Sequence, residues 1–367
     1  MHLPSLPSLP ALAGMLVAAG LMSSGLVANA QAAPPSPYKI TVDQRTLDIA
    51  ARTAGSDLTL RLAQGDTQTL QVDVGNDGSV DAQVARSTFD AVTIEAGNKG
   101  NAVHVDEING QITTPMTIDG GRGDDSIAAG SGADVIRGGP GDDTVDAGRG
   151  ADTIALGNGD DSFTWLPGQG SDKVDGDRGD DTMNFVGADG PERFAAQANG
   201  SRVRFTRNVG TITMDVGGIE ELDTKALGGA DEFVAGDLSG TGVQRVETNL
   251  HGASGDDLAA DSVIIDGTSG ADDVTASGNS SVVTVSGLAA RFDIAGPGTQ
   301  DSMTLNLQAG DDHLDASGLT ADSIGLIADG GEGDDVLLGG AGNDLLIGGP
   351  GVDTLDGGPG TNVLQQD

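Results

Sequence analysis

The amino-acid sequence predicts an all-β solenoid, in which short strands and glycine-rich turns repeat along one axis. Three observations lead to this fold class. A nine-residue pattern recurs in two blocks, alternating apolar and polar residues mark short strands elsewhere, and no amphipathic helical pattern stands out beyond the N-terminal segment. A fixed repeat period is typical of solenoids, because one short unit cannot bury its apolar face without neighbours.

Composition and charge narrow both the core and the partners. The 367 residues include 60 glycines and only 2% aromatic residues, so a core must be built from Val, Ile, Leu and Ala. The net charge of -38 disfavours nucleic acid and anionic membrane surfaces, because both bind basic protein surfaces, and it favours cations. Such a composition also fits a disordered acidic chain. The periodicity of the sequence therefore has to distinguish a folded chain from a disordered one. The absence of Cys excludes disulfides and thiolate chemistry.

Residues 1–32 are predicted to be a signal peptide. The stretch Ala11–Val27 is apolar and uncharged, and the small residues Ala28, Ala30 and Ala32 follow it at spacings that suit cleavage. A membrane anchor is the alternative, but the run contains Gly and Ser and is short for a bilayer span. The segment before the run carries no Lys or Arg, which is unusual. The mature protein is therefore expected to be secreted and extracellular, without a membrane span.

Residues 38–118 are predicted to form an N-terminal β region. Leu58, Leu60 and Leu62 are spaced two residues apart, as are the apolar residues of 70–74, and Gly, Asn and Asp separate the two stretches. This alternation predicts strands with tight turns. The region is either a separate domain or a cap of the solenoid.

The first regular block is assigned to residues 119–185. From Gly120, nine-residue units such as GGRGDDSIA, AGSGADVIR and GGPGDDTVD follow one another, interrupted by the two extra residues Trp165 and Leu166. The sixth position of each unit is Asp: Asp125, Asp134, Asp143, Asp152, Asp161, Asp172 and Asp181.

The second regular block is assigned to residues 329–367, and a degenerate β-solenoid region, 186–328, separates the two blocks. Fragments such as GTSGADDVT and QAGDDHLDA keep the Gly, Asp and aliphatic pattern in the degenerate region without its fixed spacing. In the second block the sixth positions are Asp335, Asp344 and Asp353, and Asn362 replaces Asp in the last unit.

Each unit divides into a six-residue turn, G-G-x-G-x-D, and a three-residue strand with a large apolar residue at its centre. Glycine allows backbone angles that a Cβ would forbid, so that carbonyl groups can converge. Two units make a coil of 18 residues, and coils stack about 4.8 Å apart. The inward residues then form two columns. These are Ile127, Val145 and Phe163 on one side, and Val135 or Ile136 with Ile154 on the other.

The same stacking brings the sixth-position aspartates together. Columns of carboxylates repel one another in a compact chain and require cations between them. Carboxylate and carbonyl oxygens suit Ca²⁺, whereas Mg²⁺ requires a tighter octahedron and Zn²⁺ prefers His or Cys. Complete pairs are expected at 125/143, 134/152, 143/161 and 335/353. The pair 344/362 is weakened by Asn362, and the pairs 152/172 and 161/181 across the insertion stay open. The sequence thus predicts several Ca²⁺ ions, roughly four to seven, with weak affinity near about 10⁻⁴ to 10⁻³ M.

The unit G-G-x-G-x-D-x-U-x, where U is a large apolar residue, resembles the calcium-binding nonapeptide of the RTX, or hemolysin-type, family. About eleven units match it, over less than a third of the chain. The resemblance implies a right-handed parallel β-roll or β-helix and export from a bacterial cell. Members of this family often carry a C-terminal secretion signal. Here the last residues, Leu364–Asp367, leave no room for such a signal, so an N-terminal export route is expected.

No catalytic motif stands out, and the protein is expected not to be an enzyme. The sequence contains neither H-E-x-x-H nor G-x-S-x-G. Its basic cluster, Arg202, Arg204 and Arg207, is interpreted as a solvated strand face, with a ligand-binding face as the alternative. The expected role is therefore structural or adhesive, with calcium ions and a cell-surface or matrix polysaccharide as partners. An enzyme acting on polysaccharides is the competing hypothesis.

Overall fold

The structure is a computed structural model that describes residues 36–52, 56–252, 255 and 258–366. The predicted signal peptide, residues 1–32, lies outside the described residues. The predicted all-β solenoid is confirmed, because the described chain forms two sheets of 16 strands each and only two short 3-10 segments, Arg86–Thr88 and Val209–Thr211. Within the described residues, no helix has the length and hydropathy needed to cross a bilayer.

The strands are numbered in chain order. The first 16 are β1 (Tyr38–Asp43), β2 (Thr46–Ala51), β3 (Leu58–Ala63), β4 (Asp66–Val74), β5 (Ala82–Ala85), β6 (Ala91–Glu95), β7 (Ala102–Asp106), β8 (Met116–Asp119), β9 (Ser126–Ala128), β10 (Val135–Pro140), β11 (Thr144–Asp146), β12 (Thr153–Asn158), β13 (Ser162–Trp165), β14 (Lys173–Arg178), β15 (Thr182–Val186) and β16 (Arg193–Asn199). The remainder are β17 (Arg202–Arg207), β18 (Ile212–Gly217), β19 (Glu221–Lys225), β20 (Glu232–Ala235), β21 (Arg245–Asn249), β22 (Ser262–Asp266), β23 (Asp273–Gly278), β24 (Val282–Ser286), β25 (Arg291–Ala295), β26 (Ser302–Asn306), β27 (His313–Leu319), β28 (Gly325–Asp329), β29 (Val336–Leu338), β30 (Leu345–Ile347), β31 (Thr354–Asp356) and β32 (Val363–Gln365).

In the first block, successive strands alternate between the two sheets and pair in parallel with the strand one coil away. Val145 pairs with both Ile127 and Phe163 in one sheet, and Ile136 pairs with Ile154 in the other. These registers confirm the predicted coil of 18 residues. For the inward position of the second column, the sequence left Val135 and Ile136 as alternatives. The inward residue is Ile136, which is fully buried, whereas Val135 is 36% exposed.

The two-residue insertion shifts the numbering without breaking the stack. Beyond it, Ile154 pairs with Val174 and Phe163 with Met183. Trp165 itself turns inward and stacks on Phe185, with ring centroids 4.1 Å apart. The insertion is therefore taken up at the end of strand β13 and in the segment before β14, while both sheets continue.

The degenerate region keeps the parallel sheets but lengthens the coils. Two groups of antiparallel strands, β16–β17–β18 and β23–β24–β25, are inserted between parallel neighbours. At the N-terminal end, antiparallel pairing of β1 with β2 and of β3, β4 and β5 forms the edges of the same two sheets. The core lies between the sheets and is mostly aliphatic, apart from an aromatic cluster around Phe185 and Phe205.

Candidate metal centre

The sixth-position aspartates form a hydrogen-bonded ladder along the turns that precede one sheet. The main-chain N–H of Asp125 donates to Oδ1 of Asp143 at 2.7 Å, and Asp143 donates to Asp161 at 2.6 Å. Asp161 donates in turn to Oδ1 of Asp181 at 2.9 Å. Asn101 begins this ladder, since its N–H donates to Oδ1 of Asp125 at 2.7 Å. One oxygen of each carboxylate therefore binds the preceding coil.

A second ladder runs along the turns that precede the other sheet. The N–H of Met116 donates to Oδ1 of Asp134 at 2.8 Å, Asp134 donates to Asp152 at 2.7 Å, and Asp152 donates to Asp172 at 2.9 Å. The structure thus stacks the pairs expected at 125/143, 134/152 and 143/161. It also stacks 152/172 and 161/181, because the insertion lies outside the six-residue turns.

The second oxygen of these carboxylates has no hydrogen-bond partner. Of the ten predicted ligands, nine have a buried Oδ2 in this condition: Asp125, Asp134, Asp143, Asp152, Asp161, Asp172, Asp181, Asp335 and Asp353. Burying a carboxylate oxygen without a partner costs free energy, because the oxygen loses its hydrogen bonds to water and forms none within the protein. A cation bound beside these oxygens would compensate for the hydrogen bonds that they lack.

Where a turn begins with glycine, that glycine leaves room beside the unpartnered oxygen. A Cβ added at Gly120 would lie 2.6 Å from Oδ2 of Asp125 and 2.6 Å from the carbonyl oxygen of Gly138 in the next coil. A carboxylate from one coil and a carbonyl group from the next coil therefore face the same small space. An all-oxygen set of this kind fits Ca²⁺, which takes six to eight oxygen ligands in flexible geometry.

Burial raises the pKa of these carboxyl groups, and neighbouring carboxylates raise it further, while main-chain N–H donors oppose the shift. The pKa rises to about 7 at Asp134, Asp143, Asp172 and Asp181, and to about 6 at Asp125 and Asp152. Without a cation, the fold thus holds carboxyl groups that resist ionisation near neutral pH.

The second block repeats this geometry with one departure. Asp335 donates its N–H to Oδ1 of Asp353 at 3.0 Å, and Asp344 donates to Oδ1 of Asn362 at 2.9 Å, so both expected pairs are stacked. Oδ2 of Asp344, however, accepts the N–H of Gly340 in its own turn at 2.8 Å. Asp344 is therefore the weakest fit to a cation among the predicted ligands.

The ladder also includes acidic residues that sequence reasoning missed. Asp231 donates its N–H to Asp261 at 2.8 Å, and Asp261 donates to Asp301 at 2.9 Å. In the other sheet, Asp272 donates to Asp312 at 2.7 Å. The signal was present in fragments such as GTSGAD and QAGDD, but their irregular spacing concealed it.

A further row of carboxylates lies on the surface at the fifth turn position. The N–H of Asp142 donates to Oδ1 of Asp124 at 3.0 Å, and Asp160 and Asp180 continue the row at the same distance. These bonds run from the later coil to the earlier one, opposite to the buried ladder. Sequence reasoning did not place these residues, although the repeated G-D-D triplet is their signal.

A group of three carboxylates lies apart from the turns. Outside the turns, the described residues contain one trio of carboxylates, Glu221, Asp223 and Glu247, whose ligand atoms lie within 4.8 Å of one another. Arg245 forms ion pairs with Glu221 and Glu247, so a cation is already present there.

The basic cluster is largely occupied by ion pairs as well. Arg202 pairs with Asp175 and Asp215, and the buried Arg207 pairs with Glu192. Of the three arginines, only Arg204 is exposed.

A family model described as the RTX calcium-binding nonapeptide repeat matches the chain in four segments, residues 117–145, 129–163, 168–185 and 329–364. No curated protein matches the chain significantly. The four segments cover all ten predicted aspartates, and they leave the degenerate region between the two blocks unmatched.

Proposed function

The chain carries RTX calcium-binding nonapeptide repeats, which bind several calcium ions, and on this premise we propose a secreted protein that folds on calcium uptake outside the cytoplasm. Its role in this proposal is structural or adhesive. The observation that carries the proposal is the row of buried, unpartnered Oδ2 atoms on the sixth-position aspartates.

The proposed ligands are those Oδ2 atoms together with carbonyl oxygens of the adjoining turns. Asp125 with the Gly138 carbonyl illustrates the arrangement, since both approach the space beside Gly120. Asp134, Asp143, Asp152, Asp161, Asp172, Asp181, Asp335 and Asp353 share the unpartnered oxygen, and Asp344 is included with the weakest fit. When bound, calcium supplies positive charge between successive coils.

Folding depends on that charge because the ladder brings like charges together in a buried place. Each Oδ1 binds the preceding coil only when the coils are stacked, and stacking then strips water from Oδ2. The chain must therefore bind protons, bind cations or remain unstacked. Extracellular fluid is rich in calcium, which suits sites of weak affinity.

A structural or adhesive role is supported by the shape of the solenoid and by the state of its basic residues. Sixteen strands at the usual spacing make a rod about 70 Å long, which can serve as a spacer or as a surface for a polysaccharide. The alternative of a polysaccharide-acting enzyme depended on the arginine cluster, and Arg202 and Arg207 are engaged in ion pairs.

A calcium titration of the chain without residues 1–32 tests the proposal. We expect circular dichroism to report a gain of β-structure in millimolar calcium and calorimetry to count several ions, with magnesium much less effective. A chain that shows the same spectrum in chelator and in calcium, or that binds no calcium, would overturn the proposal.

A further inference from the structure

We propose a divalent-cation site between the turns 307–312 and 330–335, with Asp312 as its carboxylate ligand. Asp312 lies outside the matched repeat segments. The inference rests on the proposed function, because it extends the same mode of calcium binding into the degenerate region.

The turn 307–312 has the backbone of a regular turn without its sequence. Gln308 stands at the second position with φ of 74°, where Gly331 of the next coil has φ of 91°. Gly310 at the fourth position has φ of 139°, close to the 147° of Gly333. A glutamine rarely adopts this left-handed conformation, so the turn keeps its shape against the local preference of the residue.

Asp312 makes every contact of a sixth-position aspartate. Its Oδ1 accepts the N–H of Asp272 at 2.7 Å, and its own N–H donates to Oδ1 of Asp335 at 2.8 Å. The surface row continues too, because the N–H of Asp334 donates to Oδ1 of Asp311 at 3.0 Å. The turn is therefore in register with one buried ladder of the second block and with its surface row.

The second oxygen of Asp312 points to a ligand. The residue is only 1% exposed, and its Oδ2 is buried without a hydrogen-bond partner. The neighbouring imidazole of His313 bonds to Asp273 at 2.8 Å, so it does not neutralise Asp312. A buried carboxylate with one unpartnered oxygen, beside a turn of the shape that holds calcium, fits a divalent cation with oxygen ligands.

The turn one coil earlier provides an internal contrast. Oδ2 of Asp272 accepts the N–H of Thr268 at 2.8 Å, and Oδ1 accepts the hydroxyl of Thr268 at 2.9 Å. The carboxylate of Asp272 is thus satisfied by its own turn. The cation sites that continue into the second block are therefore expected to begin at Asp312 and not at Asp272.

The experiment counts calcium ions in the chain without residues 1–32 and in two matched variants, Asp312→Asn and Asp272→Asn, by calorimetry and by equilibrium dialysis. Asparagine retains the Oδ1 acceptor and the side-chain volume. We expect Asp312→Asn to bind one ion fewer than the unsubstituted chain and Asp272→Asn to bind the same number. An unchanged count in Asp312→Asn, or an equal loss in both variants, would overturn the inference.

Two further outcomes are separated by the same design. An unsubstituted chain that binds no calcium contradicts the proposed function itself, whereas an unchanged count in Asp312→Asn contradicts only this site. If Asp312→Asn does not fold in saturating calcium, the unsubstituted chain is crystallised with calcium. Anomalous scattering then decides by the presence or absence of a peak between Asp312 and Asp335.

Discussion

The side-chain nitrogen of Asn362 lies 2.7 Å from the carbonyl oxygen of Gly357, inside the last six-residue turn. The same nitrogen donates to the carbonyl of Gly358 at 3.0 Å, while Oδ1 accepts the N–H of Asp344 at 2.9 Å. The amide therefore preserves the ladder with one atom and satisfies turn carbonyls with the other. At the sixth position, the atom that joins the coils therefore differs from the atom that is proposed to bind a cation.

This separation predicts different results for two substitutions of Asp143. Asp143→Asn keeps an Oδ1 acceptor for the N–H of Asp125, whereas Asp143→Ala leaves that buried N–H without a partner. We expect both variants to bind less calcium. In saturating calcium, the free energy of unfolding should fall by about 1–3 kcal/mol more in the alanine variant than in the asparagine variant.

Urea unfolding of both variants, with calorimetry for the calcium count, provides the measurement. Equal stabilities would show that the hydrogen bond from Asp125 contributes little. An asparagine variant that retains its full calcium count would contradict the assignment of Oδ2 as the ligand atom.

The space beside the first turn glycine predicts that Gly120→Ala weakens calcium binding. The new Cβ would lie 2.6 Å from Oδ2 of Asp125 and from the carbonyl oxygen of Gly138, so these two proposed ligand oxygens would have to shift away from it. Gly236→Ala is a matched control, because its Cβ would meet nothing closer than 3.7 Å and neither glycine has a positive φ.

We expect Gly120→Ala to lose at least one calcium ion and Gly236→Ala to lose none, as counted by calorimetry. Comparable calcium binding by the two variants would argue against a site between the turns 120–125 and 138–143.

The aromatic cluster around Phe185 and Phe205 forms a part of the core that contains none of the proposed calcium ligands. We therefore expect substitutions beside this cluster to change stability without changing the number of bound calcium ions. Arg207 and Glu192 form a buried ion pair, and the guanidinium lies 5.4 Å from the ring centroid of Trp165. Arg207→Met should lower the free energy of unfolding by about 3–5 kcal/mol, because Glu192 is left buried and unpaired.

The control is Arg193→Met, which removes an exposed ion pair with Glu232 and should cost less than about 1 kcal/mol. Thermal or urea unfolding in saturating calcium measures both. The number of bound calcium ions should stay the same in each variant, and a loss of ions in Arg207→Met would tie this cluster to the metal sites.

How far the sequence predicts this protein can be judged at particular residues. The register of Ile127 on Val145 was predictable, because a strict nine-residue period leaves only one way to stack two units per coil. The ladder at Asp312 was not, because Gln308 replaces a glycine and longer coils shift the spacing. Whether an oxygen such as Oδ2 of Asp344 is satisfied by its own turn depends on the orientation of one peptide, which the residue types do not encode.

The raised pKa values predict that the metal-free chain gains structure in acid. Burial raises the pKa of Asp143 and Asp181 to about 7, above the value of about 3.9 for an unfolded chain. The stacked state therefore binds more protons than the unstacked state between these two values. Its stability is greatest below about pH 4 and is lost as the pH rises through about 7.

Circular dichroism of metal-stripped protein between pH 8 and pH 4.5 measures this effect. We expect β-structure to increase as the pH falls through 7 to 6 without calcium, and to be present throughout that range with saturating calcium. Calcium affinity should weaken over the same range, because protons and calcium compete for the same carboxylates. A metal-free chain that loses β-structure on acidification from pH 8 would contradict the pKa directions, since carboxyl groups protonated in the stacked state stabilise it in acid.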